Sequence, residues 1–276
     1  MKTLGFIFIF FTIKTDSFSV IKKMSKQMKW HQFHNRVSKS VLSHPVVTNN
    51  SFTKEFSKGQ ACLTKQKVLV QQFSVFSQLF LIAQLKKIIN APNLDEMRDG
   101  KEILCNELGV KFYNGSIEKG TYSHSYAHYE WLVHMAKELG LNYNDLGKRC
   151  LGNPSTLHFC DELSRLYGSS NDNVAIAASY AIENWAQAGF WNELIKGFEI
   201  INEKRIQNKE KPLPLGFWKF HAKLEEQHAA HTVEELKSVY LDNRITDSED
   251  FIFYCEEMLD AIDIFWRGID KSYLVY

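Results

Sequence analysis

Between residues 68 and 89 apolar side chains recur at spacings of three and four, through Phe73, Phe76, Leu79, Phe80, Ile82, Leu85 and Ile88. That spacing follows the helical period and predicts a long, buried α-helix. The Asn90-Ala-Pro-Asn stretch ends it. The same period returns down the chain. A second helix is expected over 95–108, stopped by Gly109, then a polar loop at 115–120, and a third helix over 122–139 closed by Gly140. Asn153-Pro-Ser opens a helix running to Gly168, and Ser170-Asn-Asp opens one over 174–206, bent near Gly189. After a connection at 208–216, helices are expected over 217–241 and, capped by Asp247-Ser-Glu-Asp, to the end of the chain. No stretch alternates convincingly as a strand would. The expectation is an all-α bundle of about seven helices, one domain over 61–276, with no internal repeat.

The 276 residues, 45% of them hydrophobic, suffice for a substantial core, and five Pro with fourteen Gly argue against a turn-rich β design. The net charge of +1 conceals an asymmetry: residues 1–72 carry twelve Lys/Arg against two Asp/Glu, and the rest 21 against 30. Residues 1–60 read as a basic N-terminal extension, disordered or loosely docked, within which Met24 and Met28 offer alternative starts. It lacks the ordered aromatic and glycine pattern of a nucleic-acid module, so no nucleic-acid partner is expected. The apolar run near the N-terminus is too short to span a bilayer comfortably. Five scattered cysteines, without a CxxC, suggest neither a disulfide framework nor a thiolate zinc site. They favour a reduced, cytoplasmic setting and no stable membrane insertion.

Chemistry concentrates in His221-Ala-Lys-Leu-Glu225-Glu-Gln-His228. On a helix, offsets of four and three align His221, Glu225 and His228 in one column, and imidazole with carboxylate suits iron, manganese or zinc. A polar helix surface is the plain alternative. Other ligands must come from other helices. Glu130 and His134 stand four apart in the aromatic third helix, and Glu183 is a lone acid among small and apolar residues, a costly position unless paired, protonated or metal-bound. Three carboxylates and three imidazoles suit two iron ions with positions open for O2, although a mononuclear site needs only a subset.

The spacing His221-xxx-Glu225-xx-His228, preceded by single glutamates in two earlier helices, resembles the C-terminal metal motif of the haem-oxygenase-like di-iron oxidases and oxygenases. The segments Ala127-His-Tyr-Glu-Trp-Leu, Ala181-Ile-Glu-Asn-Trp-Ala and Gln227-His-Ala-Ala-His also look like the bacterial iron-containing redox enzymes of that superfamily. The similarity runs from about residue 73 to the C-terminus. It implies a seven-helix haem-oxygenase-like fold, a non-haem di-iron cofactor and O2-dependent oxidation of a small molecule. Such relatives act on amines, fatty acids or amino acids, and an external reductant is compatible with that chemistry. By the resemblance Glu130 and Glu183 are the early glutamates and His221, Glu225 and His228 the final triplet, with Glu225 where many relatives have Asp. His134 is chosen as sixth ligand because an offset of four keeps it beside Glu130.

His231 is assigned an outer role, and His124 and His128 exposed or structural ones. Tyr126 is read as packed rather than redox-active. Two other functions stay open: a metal-free helical module binding a ligand or partner, and a thiaminase-like hydrolase using Cys160, which has no basic partner at a defined spacing. The apolar last helix permits a homodimer.

Overall fold

The computed structural model describes residues 28–113, 116–228 and 232–272, with the side chains of Ser116, of 225–228 and of Thr232 also outside the description. The described residues form α1 (Trp30–Val41), α2 (Pro45–Thr48), α3 (Ser51–Phe56), α4 (Leu63–Ile89) and α5 (Leu94–Glu107). A hairpin of β1 (Val110–Tyr113) and β2 (Ser116–Tyr122) follows, then α6 (His128–Glu138), α7 (Pro154–Leu166), α8 (Asp172–Gln187) and α9 (Phe190–Gln207). The chain closes with α10 (Gly216–His228), α11 (Thr232–Leu241) and α12 (Ser248–Ser272). The all-α expectation holds, with more and shorter helices than seven.

The expected apolar helix is α4, and its first half is buried through Val68, Leu69, Val70, Phe73 and Val75. Among the described residues it is the one helix long and apolar enough to cross a membrane, yet over half of its most apolar stretch is packed inside the fold. Its partners are α5, α6, α7 and α12, and α12 in turn packs on α7 and α8. Between them lies an aromatic core. Phe73 meets Trp218 edge-on at 5.0 Å and Trp191 at 5.6 Å, while Phe265 and Trp266 approach from α12. Each such ring contributes roughly 1.5–3 kcal/mol by leaving water. Lys65, also buried on α4, reaches Asp270 of α12 at 2.9 Å and lies over the Phe52 ring, so its charge is compensated.

Three expectations need correction. Residues 30–56 are not a loose arm: they form α1 to α3, with Phe33, Val37, Val41, Phe52 and Phe56 fully or almost fully buried. Phe33 stacks on Tyr240 at 4.3 Å, and the Tyr240 hydroxyl donates to the Met28 carbonyl. Basic residues on the outer faces masked this apolar stripe in the composition. Residues 110–113 and 116–122 pair as antiparallel strands, so the third helix begins at His128 instead of 122. The helix expected to bend near Gly189 is broken there, because Gly189 adopts φ 87°, a left-handed conformation that interrupts helical hydrogen bonding.

Candidate metal centre

The hairpin is what assembles the site. Gly109 follows α5 with φ 105°, and its carbonyl accepts from the Ser123 amide at 3.0 Å. A Cβ there would fall 2.5 Å from the Ser123 carbonyl oxygen and 3.0 Å from the Ala127 nitrogen, so only glycine permits the two strand ends to meet. The last residue of α5, Glu107, is thereby brought beside the first residue of α6, His128. His221 approaches from α10.

Glu107, His128 and His221 each offer a ligand atom, all within 4.8 Å of one another, the one such trio of metal-binding side chains among the described residues. Oε1 of Glu107 is 3.0 Å from Nδ1 of His128 and 3.9 Å from Nε2 of His221. His128 is 1% exposed, and its Nδ1, though close to the carboxylate, lacks an aligned hydrogen bond. His221 Nδ1 lies 2.8 Å from the Phe217 carbonyl. A carbonyl only accepts, so Nδ1 of His221 carries a proton, and Nε2, the nitrogen turned toward Glu107, is the one left for a metal. That arrangement holds the imidazole in the tautomer a metal ligand needs. The His221 ring stacks on Trp191 at 5.0 Å, His128 stacks on Trp131 at 5.1 Å, and the two imidazoles meet edge-on at 4.9 Å. Burial tends to raise the Glu107 pKa, but the nearby imidazoles of His128 and His221, when protonated, outweigh it and hold the carboxyl at about 2.

Of the residues singled out in the sequence, His221 is in this group. Glu130 is not: its carboxylate is 38% exposed and lies 3.5 Å from Nδ1 of His124. His134 is exposed on α6. The reason is the buried face of α6, which His128, Leu132, Met135 and Ala136 occupy. At about 100° per residue, positions 130 and 134 point away from it. Glu183 is half-buried on α8, in the electrostatic neighbourhood of Lys87 and Tyr167, with Lys87 Nζ donating to Ser179 Oγ at 2.9 Å. The side chains of Glu225 and His228 lie outside the described set, as does His231, although α10 runs to His228. Glu107 and His128 went unrecognised because the segment between them was read as loop and helix. The signal was present: Asn114-Gly115 between Val-Lys-Phe-Tyr and Ser-Ile-Glu-Lys-Gly-Thr-Tyr is a strong hairpin pattern.

Cys160 is 3% exposed. Burial, helped by the neighbouring Asp161 charge, pushes its thiol up to about 12, which leaves essentially no thiolate for nucleophilic attack near neutral pH.

No protein-family model matches the chain, and no curated protein matches it significantly. Solved structures do. A domain of unknown function with a haem oxygenase-like fold from Shewanella denitrificans superimposes with a TM-score of 0.60 at 16% identity, covering 91% of this chain and 95% of that one. A CADD-like protein of unknown function from Nostoc punctiforme gives a TM-score of 0.54 at 17% identity, covering 90% and 97%. The chain therefore has a haem-oxygenase-like fold.

Proposed function

We propose that this protein is a non-haem iron oxidoreductase that uses O2 to oxidise a small organic molecule, with Glu107, His128 and His221 as metal ligands. The observation that carries the proposal is the donor set, two imidazoles and one carboxylate converging in a buried aromatic setting. Two histidines and one carboxylate with open positions suit ferrous iron in oxygen-using enzymes. A second ion, as in a di-iron centre, would draw on Glu183 and on Glu225 and His228 farther along α10. Iron bound here would supply O2 binding and the electrons that reduce it.

The protein's own contribution is orientation and charge. The Phe217 carbonyl keeps the proton of His221 on Nδ1, leaving Nε2 to donate its lone pair. Glu107 supplies a full negative charge that partly neutralises a divalent cation, and its depressed pKa keeps that charge in place at any working pH. Trp191, Trp131 and Phe220 pack against the imidazoles and lower the polarity around them, which strengthens charge interactions there. An external reductant and a small-molecule substrate complete the proposal.

Anaerobic titration of the full chain with Fe(II), followed by metal analysis, tests it. Binding of one or two iron ions per chain is expected, lost in His128→Ala and His221→Ala but kept in His134→Ala. Failure to take up iron, or full iron content in both histidine variants, would overturn it. A stoichiometry of two favours the di-iron form, and one the mononuclear form.

A further inference from the structure

Two neighbouring helices leave an apolar face open to solvent. On α4, Ile82, Leu85 and Ile89 fall within about 60° of one another around the helix, and all three are exposed, Ile89 at 72%. On α5, Leu94, Met97, Leu104 and Leu108 form a second stripe within about 80°, its two ends exposed and its middle half-buried. The stripes point the same way. Leu81, one turn from Leu85, and Leu108 both line a half-enclosed cavity of about 160 Å³, which has Glu107 in its wall and Tyr129 and Glu130 of α6 on its far side. α5 runs back along α4, with Gly100 set against Ile88 and its carbonyl accepting from the Gln84 amide at 2.9 Å. Leu94 is thereby level with Ile89, and the apolar face is one surface running from the cavity to the turn between the helices.

Size and charge narrow what covers it. Two helices each about 10 Å wide over about 15–20 Å of length give roughly 300–400 Å², the range in which an exposed apolar patch marks an interaction site. That suits the apolar centre of an interface burying about 800 Å² per partner. The rim on α5 carries both signs, with Lys101 and Arg98 near Glu102 and Asp95, the last paired with Arg98 at 3.2 Å. A strongly charged partner or an anionic lipid surface meets no opposing field there. A second copy does, because a two-fold contact sets Lys101 of one α5 against the carboxylates of the other, and the α4–α5 pair is half of an antiparallel four-helix bundle. The last helix, expected from sequence to offer a dimer surface, turns its apolar side inward. Its exposed Phe253 and Ile264 stand about three turns apart with Asp260 between them.

We propose that the α4–α5 face is a homodimer interface and that the second copy closes the cavity beside Glu107. Leu108 belongs to both the face and the cavity, so a body seated on the first covers the opening of the second. That the closure shields a metal centre rests on the function proposed above, whereas the interface does not depend on it.

Sedimentation equilibrium of the full chain over a range of concentrations tests the interface, with iron content measured in parallel. A monomer–dimer equilibrium is expected. Leu85→Glu should weaken it at least tenfold by burying a charge without a partner, while Ile264→Glu on α12 should leave it unchanged. Ile89→Lys, at a still more exposed position, should act like Leu85→Glu, and the far-ultraviolet helical signal of both should match the wild type. Closure is read with Leu108→Cys, whose alkylation, followed by mass spectrometry, should be at least tenfold slower than in the same variant carrying Leu85→Glu. A monomer at every concentration, as when the chain's own residues 4–13 cover the face, would overturn the interface. So would a dimer that Leu85→Glu and Ile89→Lys leave intact, or one that Ile264→Glu weakens equally. Equal alkylation rates would overturn the closure. A dimer of this kind without iron uptake would sink the oxidoreductase reading and leave the interface standing.

Discussion

Glu107 shows how much one side chain's surroundings decide. A carboxylate buried alone would be driven toward its neutral form, but two imidazoles within 3.9 Å reverse that and hold it at about 2. In metal-free protein, a folded pKa below the unfolded value stabilises the native state above about pH 4.5, and that stabilisation is lost as pH falls toward 2. Its size is up to about 3 kcal/mol at 1.36 kcal/mol per pKa unit. Urea unfolding of wild type and Glu107→Gln should therefore differ most at pH 7 and converge between pH 4 and 2. A difference that grows with acid would contradict the assignment. The cysteines give a second test at this scale. Alkylation at pH 8 should modify the exposed Cys62 and Cys150 and spare the buried Cys160 and Cys255, read by mass spectrometry of the folded protein. Rapid modification of Cys160 would revive a cysteine-dependent reading.

At the level of elements, the decisive piece is the hairpin between α5 and α6. It brings together Glu107 and His128, whose helices would otherwise end and begin independently. Gly109→Ala should force the strand ends apart, because the added Cβ meets the Ser123 carbonyl. Iron affinity is expected to fall by about tenfold or more, as when the groups orienting metal ligands are lost, while the far-ultraviolet helical signal stays the same. Unchanged iron affinity would mean that the junction does not set the ligand geometry. The same element explains why Glu130 and His134 looked suitable in sequence. Their mutual spacing is correct for one helix face, but Leu132, Met135 and Ala136 occupy the buried one. A spacing of four says that two residues are neighbours and does not say which way they face.

Across the whole molecule, α1 to α3 close the core from outside, so the chain cannot be divided at residue 60. Phe33 touches Tyr240 and Phe251 with no solvent exposure. Phe33→Ala should cost about 3–5 kcal/mol, lowering the midpoint of thermal unfolding by roughly 10 °C or more. Deleting residues 1–60 should give protein that aggregates or unfolds non-cooperatively, since Trp266 and Phe198 would lose the rings of Phe52 and Phe56. A stable, soluble truncation would show that the loose-arm reading was correct. The helical class, the buried run that became α4, most helix ends, and the place of His221 among the candidate site residues were legible in the residues themselves. Those features rest on periodicity, caps and residue chemistry, which are local and survive in a one-dimensional pattern. The meeting of Glu107 with His128 and the outward turn of Glu130 and His134 were decided by tertiary structure. Each depends on how a helix is rotated about its own axis by what it packs against. That rotation is set by contacts between residues far apart in the chain, and spacing within one helix cannot record it.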